Sequence, residues 1–301
     1  MANLKEIRNR ITSVGSTMQI TSAMKMVSAA KLKKAQDAIT AMRPYSETLT
    51  KLLQNLSATL EGDSGSKFAE QRDVNNVLIV AITSNRGLAG AFNSNIVKEC
   101  RRSLSEVYKG KNVQFVTFGK KGNDILKKTG NVVENNNAIF DDLSFENASE
   151  LAQKLMGFYA EGKFDKIVLV YNNFKNAATQ IVMHEQYLPI ESMKSEGAEV
   201  KTTTDYIFEP SKEKIVEELI PKMLKTQLFK ALRDSVASEH GARMTAMHKA
   251  TDNATELRDE LKLQYNKARQ AAITGEILEI VGGAEALADN IDEKSIKNLP
   301  P

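Results

Sequence analysis

The sequence predicts an α/β fold carried on a long antiparallel coiled coil, in which the N- and C-terminal helices pair and an α/β domain lies between them. Three observations point to it. Apolar residues step by three and four from Leu4 to Leu60, with Pro44 the only proline in the stretch. Short β-rich apolar runs alternate with helical stretches between residues 77 and 208, the pattern of an α/β layer with a largely parallel sheet. From Lys222 to Gly282 there is no proline, and Gly241 and Gly275 are the only interior glycines. A second helix of coiled-coil length is the expectation there.

The first element, residues 1–60, has the seam Leu4, Ile7, Ile11, Val14, Met18, resumed at Leu32 and continued through Ala35, Ile39, Met42, Ser46, Leu49, Leu53, Leu56 and Leu60. Between the two runs the same step lands on Thr21, Lys25 and Ser28, while Met24, Met26 and Val27 fall on other faces. Pro44 is expected to kink the helix. Residues 61–76, with two glycines and mixed charge, read as a linker. The α/β domain, residues 77–208, opens on VLIVAITS and the turn NRGLAGAFNSN, followed by a helical stretch to Tyr108. VQFVTFG (113–119) is the next strand, followed by the helical KKGNDILKK. A helix over 147–162 then leads to DKIVLVYNNF (165–174), which QIVMHEQYLPI (180–190) pairs with. The C-terminal helix, residues 209–287, starts at Ser211 as N-cap and meets a break or kink at Pro221. Its seam reads Met247, Ala250, Ala254, Leu257, Leu261, Gln264, Ala268 and Ala271, then slips to Ile273, Ile277, Ile280, Ala284 and Leu287. Residues 288–301 form a tail.

Composition narrows the function classes. The longest apolar runs, VLIVAI and IVLV, have the length of buried strands and fall far short of a membrane span. A single cysteine, Cys100, allows no internal disulfide and suits a reducing compartment. The N-terminus opens directly on the heptad pattern without the apolar core of a secretory signal, so export is not expected. Residues 1–36 hold seven basic side chains, Lys5, Arg8, Arg10, Lys25, Lys31, Lys33 and Lys34, against Glu6 alone. Such a face is either solvated or the footprint of an acidic partner. Nucleic acid is disfavoured because no aromatic residue interleaves the charges before Tyr45.

Motifs for catalysis are missing from the sequence. SNRGLAG stands between a strand and a helix, where phosphate loops sit. Its glycines, Gly87 and Gly90, have GxxG spacing rather than the GxGxxG of a dinucleotide site or the GxxxxGK of a P-loop. A tight strand-to-helix turn is the better reading. His184, His240 and His248 form no i, i+4 pair and have no cysteine cluster beside them, which argues against a metal site. No cofactor is expected, and the chain reads as one that transmits or scaffolds.

Three segments together carry a family resemblance. KEIRNRITSVGSTMQITSAMKMVSAAK (5–31), SNRGLAGAFNSNI (84–96) and ARQAAITGEILEIVGGAEAL (268–287) resemble, in this order, the gamma subunit of bacterial F-type ATP synthases. The last is the most specific, with Ile273-Thr274, Glu276, Glu279, Gly283-Ala284 and Ala286 at the family's spacing. A free-standing coiled-coil adaptor or nucleic-acid scaffold explains the long helices but not the three motifs. The resemblance implies a central rotor shaft coupling ion flow to ATP synthesis or hydrolysis, with a Rossmann-like central domain and no catalytic or nucleotide site of its own. It implies as partners a hexamer of alpha and beta subunits, an epsilon subunit and a membrane-embedded c ring, with no nucleic acid. The implied location is peripheral, on the cytoplasmic side of the bacterial cell membrane.

The family also implies a set of contact residues. Met24 matches a methionine facing beta. Lys25, Lys31, Lys33 and Lys34 are candidates for an acidic beta loop. Arg243 in GARMTAMHKATDN matches a lower contact with beta, and Arg269, Gln270 and Thr274 match an upper one. A shaft inside a sleeve also accounts for the polar break in the seam. Forgoing a Leu-sized burial costs about 1.5–3 kcal/mol at each position, and methionines able to meet several faces offset this only if neighbours lie all round. Ala89 departs from a cysteine common in the GLxG turn, a change expected to be harmless.

Overall fold

A computed structural model describes residues 4–59, 68, 70–129, 131–190 and 212–297. Ser211 and residues 61–67 and 69 of the expected linker fall outside the described residues. The element order is α1 (Leu4–Thr59), β1 (Asn76–Ile82), α2 (Phe92–Arg102), β2 (Asn112–Phe118), α3 (Lys120–Leu126), β3 (Asn131–Asn135), α4 (Phe145–Ala160), β4 (Lys166–Phe174), β5 (Gln180–Leu188) and α5 (Lys212–Lys297). A π-helical turn, Ser103–Val107, follows α2 directly. Neither proline ends its helix: α1 continues through Pro44 and α5 through Pro221. A proline removes one helix hydrogen bond, which a long helix can absorb when the turns on either side continue. α5 also runs to Lys297, so residues 288–297 of the expected tail are helical.

The chain divides into two compact units, residues 1–24 with 247–301, and residues 25–246. The larger unit is built on a five-stranded sheet of order β3-β2-β1-β4-β5. β1 pairs in parallel with β2 and β4, β2 pairs in parallel with β3, and β5 is antiparallel to β4. β1 is apolar from Val77 to Ile82 because both of its faces are covered, as parallel strands require. Leu78, Val80 and Ile82 face one core with Phe118, Leu169 and Tyr171, beneath Ala152, Leu155 and Tyr159 of α4 and Ile220, Leu224, Leu228 and Leu232 of α5. Val77, Ile79 and Ala81 face the other with Phe115, Val168 and Val170, beneath Ile96, Val97 and Cys100 of α2 and Leu126 at the end of α3. The Asp165 carboxylate accepts from the backbone N–H groups of Asn75 and Asn76 at 2.9 and 2.8 Å, fixing where β1 starts beside β4. Ser144 caps α4 by accepting from the Asn147 N–H at 3.2 Å. A third, smaller core holds Leu32, Ala35 and Ile39 of α1 against Ala237 of α5 and Phe174 of β4.

In the smaller unit the two helix ends pair antiparallel. Thr21 and Thr251 bring their hydroxyls to 2.9 Å. Thr255 Oγ1 and Arg258 Nη1 donate to Met18 Sδ at 3.4 and 3.6 Å, and Arg8 Nη2 donates to the Tyr265 hydroxyl at 2.6 Å. The seam of α5 here differs from the sequence expectation. Leu257 is 47% exposed and Gln264 is also exposed, while Arg258 and Tyr265 turn inward. Both are amphipathic side chains that bury a stem or ring and still reach a polar partner on α1.

Candidate partner-binding surface

The polar step in the α1 seam faces inward. Thr21 and Ser28 are buried and Lys25 is half-buried, whereas Met26 is 65% exposed and Val27 is also exposed. Met24 is half-buried. Lys31, Lys33 and Lys34 are exposed on one stretch of α1. Lys31 stands near enough to Glu239 and His240 of α5 to favour the carboxylate and disfavour the imidazolium.

Towards the end of α5 the environment changes. Every residue from Arg269 to Glu285 is exposed except Gly275, which is half-buried. Arg269, Gln270 and Thr274 lie here, with the Thr274 hydroxyl donating back to the Gln270 carbonyl at 2.9 Å. Around them Ile273, Ile277, Leu278, Ile280 and Val281 are large apolar side chains in the open, Ile280 at 71% exposure. The three polar residues therefore come together on one stretch, and they are bordered by an apolar surface of the kind that marks an interaction site.

Arg243 has a different setting and is only 7% exposed. Its Nε and Nη2 donate to the Gly87 carbonyl at 3.3 Å, Nη2 donates to the Arg86 carbonyl at 3.1 Å, and Nη1 pairs with Glu239 Oε1 at 2.7 Å. Burial pushes the Glu239 carboxyl above the usual range, opposed by Arg243 and Lys31. His240 is pushed down to about 4 by burial and by the same two cations, so it is neutral at neutral pH. Its Nδ1 lies 3.5 Å from Arg243 Nη1. Sequence reasoning singled out Arg243 but not Glu239. The i, i+4 spacing of Glu239 and Arg243 was the available signal.

The turn that Arg243 reaches joins β1 to α2. Leu88 and Gly90 both have positive φ, 61° and 56°, and Gly90 occupies a conformation that suits a residue without a Cβ. Asn93 Oδ1 accepts from the Ser84 N–H, Asn85 Oδ1 accepts from the Lys120 N–H, and Ser84 Oγ donates to the Arg86 carbonyl. In open α/β sheets ligands enter the crevice at the carboxyl ends of the strands where the strand order reverses, here between β1 and β4. α5 approaches both strand ends. Ser238 Oγ donates to the Asn172 carbonyl of β4 at 3.0 Å, and Ala242 packs with Ala89 and Phe92. Gly241 lies so close to Ala177 that an added Cβ would stand 3.2 Å from its Cα. The turn's polar groups are therefore largely engaged within the chain.

A helix end that leaves Ile273, Ile277, Leu278, Ile280 and Val281 in the open beside polar side chains marks the chain as a subunit of a larger assembly. Residues 3–287 match the family model described as ATP synthase. The ATP synthase gamma chain of Christiangramia forsetii is 71% identical, with 95% of this chain and 99% of that one aligned. That of Flavobacterium psychrophilum is 68% identical and that of Cytophaga hutchinsonii 53%, over the same shares. The chain belongs to the ATP synthase gamma family, as a central-stalk subunit of that enzyme. A Tetrahymena thermophila mitochondrial ATP synthase central stalk aligns with TM-score 0.58 at 26% identity, over 77% of this chain and 99% of that one. The fold also matches a chain from the Euglena gracilis mitochondrial ATP synthase with TM-score 0.71 at 23% identity, over 99% of this chain and 97% of that one. Among the described residues no helix is long and apolar enough to cross a membrane.

Proposed function

We propose that the chain is the rotor shaft of an F-type ATP synthase, turning inside an alpha–beta hexamer and bearing on an epsilon subunit and a c ring. The exposed apolar end of α5 carries this reading. Burying Ile273, Ile277, Leu278, Ile280 and Val281 in a sleeve is worth about 1.5–3 kcal/mol each. Arg269, Gln270 and Thr274 form a polar catch on that end, and the exposed Lys31, Lys33 and Lys34 face the sleeve along α1, with the half-buried Met24 and Lys25 meeting it at the edge of the seam. The chain has no catalytic role of its own and binds no nucleotide, since α5 stands at the crevice where an α/β sheet would hold one. The complex sits peripherally on the cytoplasmic side of the membrane.

Co-expression with alpha and beta subunits tests the reading. The wild-type chain is expected to purify with them, and failure to do so would overturn it. Replacing Arg269, Gln270 and Thr274 together with alanine should lower assembly or the ATPase rate per assembled complex. Hydrogen bonds to charged groups are worth about 1.5–3 kcal/mol each, and the circular dichroism of the free variant should be unchanged. Normal assembly with a normal rate would remove the catch.

A further inference from the structure

β1, β2, β3 and β4 run parallel, so all four start at the same end of the sheet. α5 runs the same way alongside them. The Tyr187 hydroxyl donates to the Leu224 carbonyl beside the start of β4, and Ser238 meets Asn172 near its end. The start of the strands is therefore the end of the larger unit remote from where α5 leaves it. At that remote end, beside β2 and β3, five cations stand exposed: Arg101, Lys109, Lys111, Lys127 and Lys128. Lys109 and Lys111 precede β2, Lys127 and Lys128 precede β3, and Arg101 lies in the last turn of α2. The turn carrying the first pair is fixed in place. Tyr108 is buried, the Lys111 N–H donates to its carbonyl at 3.0 Å, and Gly110 has φ 80°. Val107, which ends the π-helical turn in sequence between Arg101 and Lys109, is 52% exposed. Glu99 is taken by Arg102 at 2.9 Å and Asp124 lies 3.9 Å from Lys127, while Glu106 is exposed. Among the described residues Arg101, Lys109, Lys111 and Lys128 have no ion pair. The neighbouring part of this end, beside β1 and β4, is different: Arg72 pairs with Glu70 and Lys163 with Glu161, both at 2.7 Å.

We propose that this face, with Val107 among its cations, docks on a surface of anionic phospholipid headgroups and brings the chain to the membrane. The proposal rests on the rotor-shaft reading only for the side on which the membrane lies, since in that reading the apolar end of α5 enters the sleeve at the other end. Unpaired cations on one face are drawn to an anionic leaflet within about a Debye length of it. Four of the five are lysines, flexible point charges without a planar fork, which suit headgroups that move to meet them. One exposed apolar side chain among basic ones is the pairing that interfacial binding uses.

Flotation of the free full-length chain with lipid vesicles tests this. Vesicles of phosphatidylcholine mixed with phosphatidylglycerol are expected to carry at least ten times more chain than phosphatidylcholine alone, and high salt should abolish the difference. On the anionic vesicles, hydrogen exchange should slow at least threefold over residues 101–111 and 127–129 while β1 stays unchanged. Lys109→Glu, Lys111→Glu and Lys128→Glu combined should cut the bound fraction at least tenfold. The same charge change at the opposite end of the sheet, Lys120→Glu, Lys121→Glu and Lys175→Glu combined, should cut it no more than threefold. The seven residues of β2 separate the two ends by about 20 Å, twice a Debye length of about 10 Å. The exchange map of the wild-type chain is read without any variant, so it decides the matter even where a variant folds poorly. Equal binding to both kinds of vesicle, equal losses in the two variants, or protection confined to α1 would overturn the proposal. Flotation only with neutral vesicles that carry a c ring would overturn it too, by assigning the face to a protein. Failure of the wild-type chain to purify with alpha and beta subunits would instead strike at the rotor-shaft reading and leave the flotation result standing.

Discussion

Gly119 illustrates how one position can fix a turn. It follows β2 with φ 103°, and a Cβ there would overlap the carbonyl oxygen of Thr83. Thr83 in turn donates to the Phe118 carbonyl at 3.1 Å and accepts from the Gly122 N–H at 3.0 Å. Gly119→Ala should therefore destabilise the chain by about 3 kcal/mol or more, combining strain at positive φ with a displaced carbonyl. Urea unfolding of the free chain measures it, and a loss below about 1 kcal/mol would show that the turn can shift. Such constraints are only partly legible in a sequence. The glycines of FGKKG can be seen there, but the Thr83 they close against is 36 positions from Gly119. Arg243 is similar. Its family match marks it as important, yet its carbonyl partners lie 156 and 157 positions away, and no local pattern announces them.

At the scale of elements, the strands that the sequence showed most plainly are those with both faces covered. VLIVAI and IVLV are unbroken apolar runs because β1 and β4 are central. β3 went unnoticed: it is an edge strand of five residues, NVVEN, with only two valines among asparagines and a glutamate. The terminal helices were legible from their length and their scarcity of glycine and proline. The inward face of α5 was not, because counting apolar residues overlooks an arginine and a tyrosine that bury stem and ring. The polar seam offers a test at this scale. Thr21 and Thr251 bring their hydroxyls to 2.9 Å and also reach the Met18 and Met247 carbonyls of their own helices, at 3.1 and 2.8 Å, so their two protons serve two of these three contacts at a time. Replacing both with valine removes donor and acceptor together and leaves no buried group without a partner. The double variant should be more stable than wild type by about 1 kcal/mol in urea, and Thr21→Val alone nearly neutral. A less stable double variant would mean that the hydroxyl pair itself holds the helix ends together.

For the whole molecule, net charge conceals its own distribution. The chain carries only +3 overall, while seven of its basic residues lie in the first 36 positions with a single acid. Lys31, Lys33 and Lys34 are exposed there. Reversing all three to glutamate should reduce ATP-driven ion pumping by the assembled complex, and more so at low salt than at high salt, because exposed charges are screened. Each exposed pair is worth only about 0–1 kcal/mol, so the single reversals are expected to be silent. Unchanged pumping by the triple variant at low salt would show that these lysines are simply solvated.

The sheet's dependence on α5 has a consequence for biosynthesis. All five strands are translated before α5, yet Ile220, Leu224, Leu228 and Leu232 belong to the core that covers one face of the sheet. At about 5–20 residues per second, the interval between the end of β5 at Leu188 and the arrival of Leu232 is roughly 2–9 s. During that time the nascent chain carries finished strands with part of an apolar face uncovered. The pace of the ribosome through this interval, and the chaperones waiting at its exit, thus bear directly on how much soluble protein a cell obtains.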